Sequence, residues 1–207
     1  MEDQPLSDWP VNDLEFEPSF SKDGKTLVYV TWNDQNMGAI YRLDMLTNAK
    51  PIKLTAEKAI YREPSFSPLD INNIVYRKES GNGHQGFVNT KEPGIYTLKT
   101  QYAKKTGYQS TSKIVLKEGS NPSFNSDASR IYYQDGGYLF GSLTKTLKSV
   151  NLDGKEPREI VKSKYAQRLI PSPDDKWVAF TNLYKVYIAA MPMTGQVIEL
   201  DGNATNV

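Results

Sequence analysis

The sequence has no cysteine and a single histidine, His84, among its 207 residues. The first absence excludes disulfides, thiolate zinc sites and cysteine nucleophiles, and suits a reducing cytosol or a periplasm equally. The second excludes a two-histidine metal site and leaves His84 as the sole imidazole for a Ser-His-Asp arrangement. An excess of one charge is missing too. With 25 basic against 24 acidic residues the net charge is +1, so no long-range field gathers phosphate backbones or anionic lipid. Nucleic acid is not an expected partner. Long apolar runs are absent: "VYIAAMPM", Val186 to Met193, falls far short of the roughly 20 residues a membrane helix needs. The opening "MEDQPLSDWP" has neither the basic start nor the apolar core of a signal peptide. Helical periodicity over ten or so residues is not found either.

Aromatic residues are plentiful, with 13 Tyr, 7 Phe and 3 Trp, and such side chains suit a pleated, half-buried surface. They fall in a repeating order. "EPSFSKDGKTLVYVTW", "EPSFSPLDINNIVYRK", "NPSFNSDASRIYYQD" and "RLIPSPDDKWVAFTN" each place a polar turn before an alternating strand, and shorter strands follow. Aligning Ser21, Ser67, Asn125 and Ser172 gives spacings of 46, 58 and 47 residues. Four-stranded repeats of about 45 residues predict an all-β protein of the β-propeller class, with four blades of four antiparallel strands, read as a partial or open propeller with an unusual four-bladed ring as the alternative. The expected blades are residues 12–58, 59–118, 119–164 and 165–203, preceded by an extension over 1–11. Phe20, Phe66 and Phe124 hold one repeat position, with Pro171 in the fourth copy, and are read as packing between blades.

The same sentences resemble the P-x-(W/F)-S-P-D-G core of TolB-like propeller repeats, related to the propellers of the tricorn protease and prolyl oligopeptidase. "YVTWNDQNMGAIYRLDM", the Gly-rich "ESGNGHQGFVNTKEPGIYTL" and above all "IPSPDDKWVAFTNLYKVYIAAMPMTGQVIEL" are similar to the propeller of bacterial TolB-like amidohydrolases. That resemblance implies a non-catalytic scaffold or binding domain, with the metal-dependent hydrolase in another segment, and a periplasmic or secreted setting. The alternative is a free-standing periplasmic interaction module of the TolB type. The expected partners are a hydrolase domain of the parent chain or a second propeller segment, a peptide or protein ligand, or a second copy of the chain. No cofactor or metal is expected in this chain. Three departures from the repeat stand out: Leu69 to Asn72 enlarge the second turn, Asn125 replaces Ser, and Asp175 replaces Gly.

Two groups of candidate site residues follow. Glu17, Glu63, Asn121 and Arg168 precede the repeat core on the expected innermost strands. There they would either line an axial channel as a polar ring or face solvent and neighbouring protein. The insert from Glu79 to Glu92 breaks the period and carries Asn82, His84, Gln85 and Asn89. Insertions in repeat folds gather on one face, often the binding face, so these are contact candidates. Asp23, Asp127, Asp174 and Asp175 are read as turn residues rather than paired catalytic carboxylates. Were the first and last blades uncovered, the faces carrying Phe20 and Val178 would be bare and would need a partner.

Overall fold

Alternating branched and aromatic residues extend the chain into strands, and the recurrent polar turns set where each strand reverses. The computed structural model describes residues 14–46, 48–83, 86–136, 144–182, 184–192 and 195–200. Among these there is no helix, hence none long and apolar enough to cross a membrane. The chain divides into two compact units, Met1–Ile114 and Val115–Val207.

In the first unit, β1 (Leu14–Phe20), β2 (Thr26–Asn33), β3 (Met37–Asp44) and β4 (Ile52–Lys53) form one antiparallel sheet in chain order. β5 (Ile60–Phe66) and β6 (Asn73–Glu79) begin the second. The insert then folds into a small hairpin, β7 (Gly81–Gly83) with β8 (Gly86–Val88), before β9 (Gly94–Ala103) and β10 (Gly107–Leu116) complete the second sheet. Val28, Val30 and Ile40 of the first sheet, all fully buried, share one apolar cluster with Tyr61, Phe66, Ile74, Tyr76, Tyr96 and Leu98 of the second. Each such side chain contributes about 1.5–3 kcal/mol by leaving water. Gly38 lets the two backbones meet: its N–H donates to the Ala59 carbonyl at 2.9 Å, and a Cβ there would lie 2.5 Å from that oxygen.

The second unit repeats the plan with β11 (Ser120–Phe124), β12 (Arg130–Asp135), β13 (Thr144–Asn151) and β14 (Arg158–Lys164), then β15 (Ala166–Pro171), β16 (Trp177–Asn182) and β17 (Lys185–Ala190). Tyr132, Leu147 and Val161 of the third sheet pack with Leu169, Val178, Phe180 and Ala189 of the fourth. The last strand, β18 (Ile198–Leu200), departs from expectation. It does not close the fourth sheet but pairs in parallel with β14, Val161 opposite Ile198. Met191 donates its N–H back to Lys176 O at 2.8 Å, as Met45 does to Lys25 O in the first sheet at 2.7 Å, but it is buried in the core where Met45 is half exposed. Pro192 follows and has no N–H to continue a ladder with β17. The fourth sheet therefore has three strands and the third has five.

The turns explain why the repeat reads as it does. In the first, the Ser21 hydroxyl donates to Asp23 Oδ1 at 2.7 Å and accepts the Thr26 N–H at 3.0 Å, while the Lys25 N–H donates to the same carboxylate at 3.1 Å. Ser172, Asp174, Lys176 and Trp177 reproduce this set in the fourth. In the third, the Asn125 amide donates to Asp127 at 2.6 Å and its oxygen accepts from Arg130 N at 2.8 Å. An amide is donor and acceptor at once, as a hydroxyl is, so the replacement of Ser changes nothing in the turn. Gly24, Ala128 and Asp175 close these turns with φ of 69°, 55° and 60°. The enlarged second turn keeps the closing bond, Ser67 N to Asn73 O at 2.8 Å.

Candidate functional site

Every inner strand carries a register shift: between Phe16 and Ser19, Arg62 and Ser65, Ser120 and Ser123, and Ala166 and Leu169. The four expected inner-strand residues sit in these bulges. Glu17, Glu63 and Asn121 adopt positive φ of 52°, 55° and 48°. A bulge breaks the ladder and leaves backbone groups to be satisfied another way. Here the Glu17 carboxylate accepts the Glu63 N–H at 2.5 Å, so one repeat completes the bulge of the next.

This contact belongs to an ion network in the first unit. Arg62 pairs with Glu17 at 2.7 Å and lies over the Phe16 ring at 5.5 Å, and Arg77 meets Glu63 at 3.0 Å as well as Glu79. Burial of Arg77 disfavours its charge, but the Glu63 and Glu79 carboxylates outweigh it and hold the guanidinium above its ordinary pKa. Three carboxylates surround two guanidiniums in this network. The structure thus brings Glu17 and Glu63 together, while Asn121 and the exposed Arg168 occupy the corresponding bulges of the second unit.

Of the insert residues, Asn82 and Asn89 are exposed on the β7–β8 hairpin and just beyond it, and His84 and Gln85 lie outside the described residues. The hairpin is anchored at its base, where the Thr90 N–H donates to Ser80 Oγ at 2.9 Å. Phe87, paired with Asn82 in this hairpin, is 69% exposed. Among the described residues no three His, Asp or Glu side chains converge as a metal site.

The second unit contains a cleft of about 610 Å³ at the end of the sheets that carries the repeat turns. Tyr132, Ile160, Met191, Pro192 and Val197 are its apolar lining. Arg130 and Arg158 bring positive charge to it. Burial, and then the charge of Arg158, holds the Arg130 guanidinium below its ordinary pKa. Asp175 on the rim accepts the Ser126 N–H at 2.8 Å, and its charge acts on the Tyr132 phenol. Burial first, and this carboxylate second, push the Tyr132 phenol far above its ordinary range. Sequence reasoning missed this cleft. Its arginines stand outside the repeat core, and part of its lining comes from the chain that returns from Met191 to β14.

Comparison of the coordinates with solved structures finds an oligogalacturonate lyase in complex with manganese, at a TM-score of 0.59 and 14% identity over 84% of this chain. TolB from Acinetobacter baumannii aligns at 0.56 and 18% over 84%. The fold is a TolB-like β-propeller. An oligogalacturonate lyase from Vibrio parahaemolyticus aligns in the same way, at 0.60 and 11% over 88% of the chain. The chain spans 48%, 40% and 52% of the lengths of these three structures. No family model matches the sequence, and no curated protein matches it. The propeller part of the sequence resemblance is thereby established, and the amidohydrolase part is not.

Proposed function

We propose that the chain is a propeller scaffold whose fourth sheet docks another blade-like β-sheet, the second propeller segment expected from the sequence. The single observation that carries this reading is the outer face of that sheet. Val186 is 74% and Ile188 68% exposed, next to Trp177 at 49% and Ile170 at 53%. Ladder registers make Val186 and Ile188 the counterparts of Ile40 and Arg42 in the first sheet, which are 0% and 5% exposed because the second sheet lies over them. A repeat position buried in one copy and bare in another is a vacancy for the same kind of neighbour. Phe20 supplies the matching half. It is 58% exposed, whereas Phe66 at the same position is 7% exposed within the cluster shared with the first sheet.

Val178, expected on the bare face, is instead fully buried against the third sheet. The two faces of β16 are both apolar, so alternation identifies them without saying which one is covered. The likeness to TolB supports a periplasmic or secreted setting for this scaffold.

The test is light scattering on the whole chain, alone and with Val186→Asp and Ile188→Asp together. The chain is expected to self-associate through this face, and the doubly substituted chain to run as a folded monomer, since both side chains are exposed. A wild-type chain that stays monomeric at the highest soluble concentration, or an assembly indifferent to the substitutions, overturns the reading.

A further inference from the structure

The charged side chains on the cleft of the second unit are unequally partnered. Each carboxylate on the cleft of the second unit already has its own partners. Asp175 holds the Ser126 N–H at 2.8 Å, and Glu159 holds Lys162 at 2.8 Å with Lys148 at 3.5 Å. The guanidiniums are served differently. Arg130 spends its Nε and Nη2 on Ser149 and the Glu156 carbonyl, at 3.0, 3.1 and 2.6 Å. Its Nη1 has only Glu156 Oε2 at 3.8 Å, from a side chain 68% exposed. The exposed Arg158 side chain beside it makes no hydrogen bond or ion pair among the described residues.

We propose that this cleft is a binding site for a carboxylate carried on a small apolar body, the chemistry of a free C-terminal residue with an aliphatic side chain. Two neighbouring guanidiniums, one of them rigidly held, match the planar two-oxygen geometry of a carboxylate. Ile160, Met191 and Val197 supply the apolar surface that a hydrated inorganic anion would not use. Binding an anion between Arg130 and Arg158 relieves their mutual repulsion, so the site is prepared to accept negative charge. The inference goes beyond the docking face, which lies on other residues of the fourth sheet, and either can fail without the other.

The probes are acetyl-leucine, acetyl-leucinamide, a tetrapeptide ending in leucine with a free carboxylate, and inorganic phosphate. Binding is followed by amide chemical shifts in nitrogen-15 labelled whole chain. Acetyl-leucine should shift Ile160, Met191 and Val197, and the neutral amide should bind about tenfold more weakly. Arg158→Met should reduce acetyl-leucine affinity about tenfold while leaving the amide unchanged, and Arg158→Lys should recover part of the loss. Arg158 is exposed, so these variants are expected to fold, and unshifted resonances elsewhere check it. A tetrapeptide that binds more tightly than acetyl-leucine identifies a peptide C-terminus as the source, and equal affinity identifies a free acid. Equal binding of acid and amide, phosphate binding as tight as acetyl-leucine, or indifference to Arg158→Met overturns the proposal.

Discussion

One left-handed position, occupied by three different residues, allows the contributions of strain and contact to be separated by experiment. Gly24, Ala128 and Asp175 close equivalent turns with φ of 69°, 55° and 60°. An L-residue in this region costs about 1–2 kcal/mol, and glycine loses about 0.5–1 kcal/mol more backbone entropy on folding than alanine. Ala128→Gly should therefore stabilise the second unit by about 0.5–1 kcal/mol. Gly24→Ala should destabilise the first unit by the same amount, because nothing lies within 4 Å of a Cβ built there and the effect is dihedral alone. Asp175→Gly should go the other way from Ala128→Gly. It relieves the same strain but removes the acceptor of the Ser126 N–H at 2.8 Å. A bond to a charged acceptor is worth about 1.5–3 kcal/mol, so the net result is a loss of about 1–2 kcal/mol. Urea unfolding followed by Trp32 for the first unit and Trp177 for the second, each with the other tryptophans changed to Phe, reads the units separately. Midpoint shifts of about 0.3–0.7 M are expected for the smaller effects. Stabilisation by Asp175→Gly equal to that by Ala128→Gly would refute the reasoning, since the carboxylate would then contribute nothing.

The turn carboxylates also predict a pH dependence. Hydrogen bonds from Ser21 and Lys25 hold Asp23 below its ordinary pKa, those from Ser129 and Asn125 do so for Asp127, and those from Ser172 and Lys176 for Asp174. A carboxylate depressed in the folded state adds stability above its unfolded pKa of about 3.9 and loses it as pH falls through the lower folded value. The urea midpoint should fall as pH drops below about 4, and replacing all three with Asn should flatten that slope; unchanged slopes would contradict it. Gly38→Ala places a Cβ 2.5 Å from the Ala59 carbonyl, with backbone on both sides. The expected cost is about 2–3 kcal/mol in the Trp32 transition, and a cost under about 0.5 kcal/mol would show that the two sheets can part without penalty.

Much of the architecture was legible because a propeller blade repeats its chemistry. The Ser-x-Asp turn and the alternating second strand recur in the sequence and have a local physical role in the structure, and Phe66 packs between two sheets as expected, whereas Phe20 at the same repeat position is 58% exposed and packs in neither core cluster. What was not legible depends on neighbours. β17 has apolar residues on both parities, so nothing in "KVYIAA" says that Ala189 is covered while Val186 and Ile188 are bare. Ile198 and Leu200 read as a fourth strand of the last blade, and only the inward turn at Met191 and Pro192 sends them to β14. The bulge at Glu17 and Glu63 was seen as a polar position, but its left-handed backbone has no signal in a glutamate. The arginine cleft had no signal either, for it arises where two turns and a returning strand meet.

Several residues that break the repeat tie one repeat to the next. The aspartate shared by three of the four copies serves its own turn, as Asp23, Asp127 and Asp174 do. The enlarged second turn instead offers Ile71 O and Asn72 Oδ1 to Arg42 of the preceding sheet, at 3.4 and 3.5 Å, and Arg42 also lies 5.2 Å from the Tyr108 ring. Asp175, in place of a glycine, reaches back to the turn at Ser126. Gln134 donates to the Leu169 carbonyl at 2.9 Å and fixes the third sheet to the inner strand of the fourth. Identical repeats stack by shape alone and tolerate any neighbour of the same kind. Polar bridges that exist once per interface discriminate, because a wrong neighbour leaves a desolvated arginine, carboxylate or amide without its partner, at about 1–3 kcal/mol each. The face of the fourth sheet has the shape and no such bridge: Ile188 stands where the first sheet has Arg42. That contrast fits a surface that receives a partner through apolar complementarity, while the interfaces within each unit are held in register by charge.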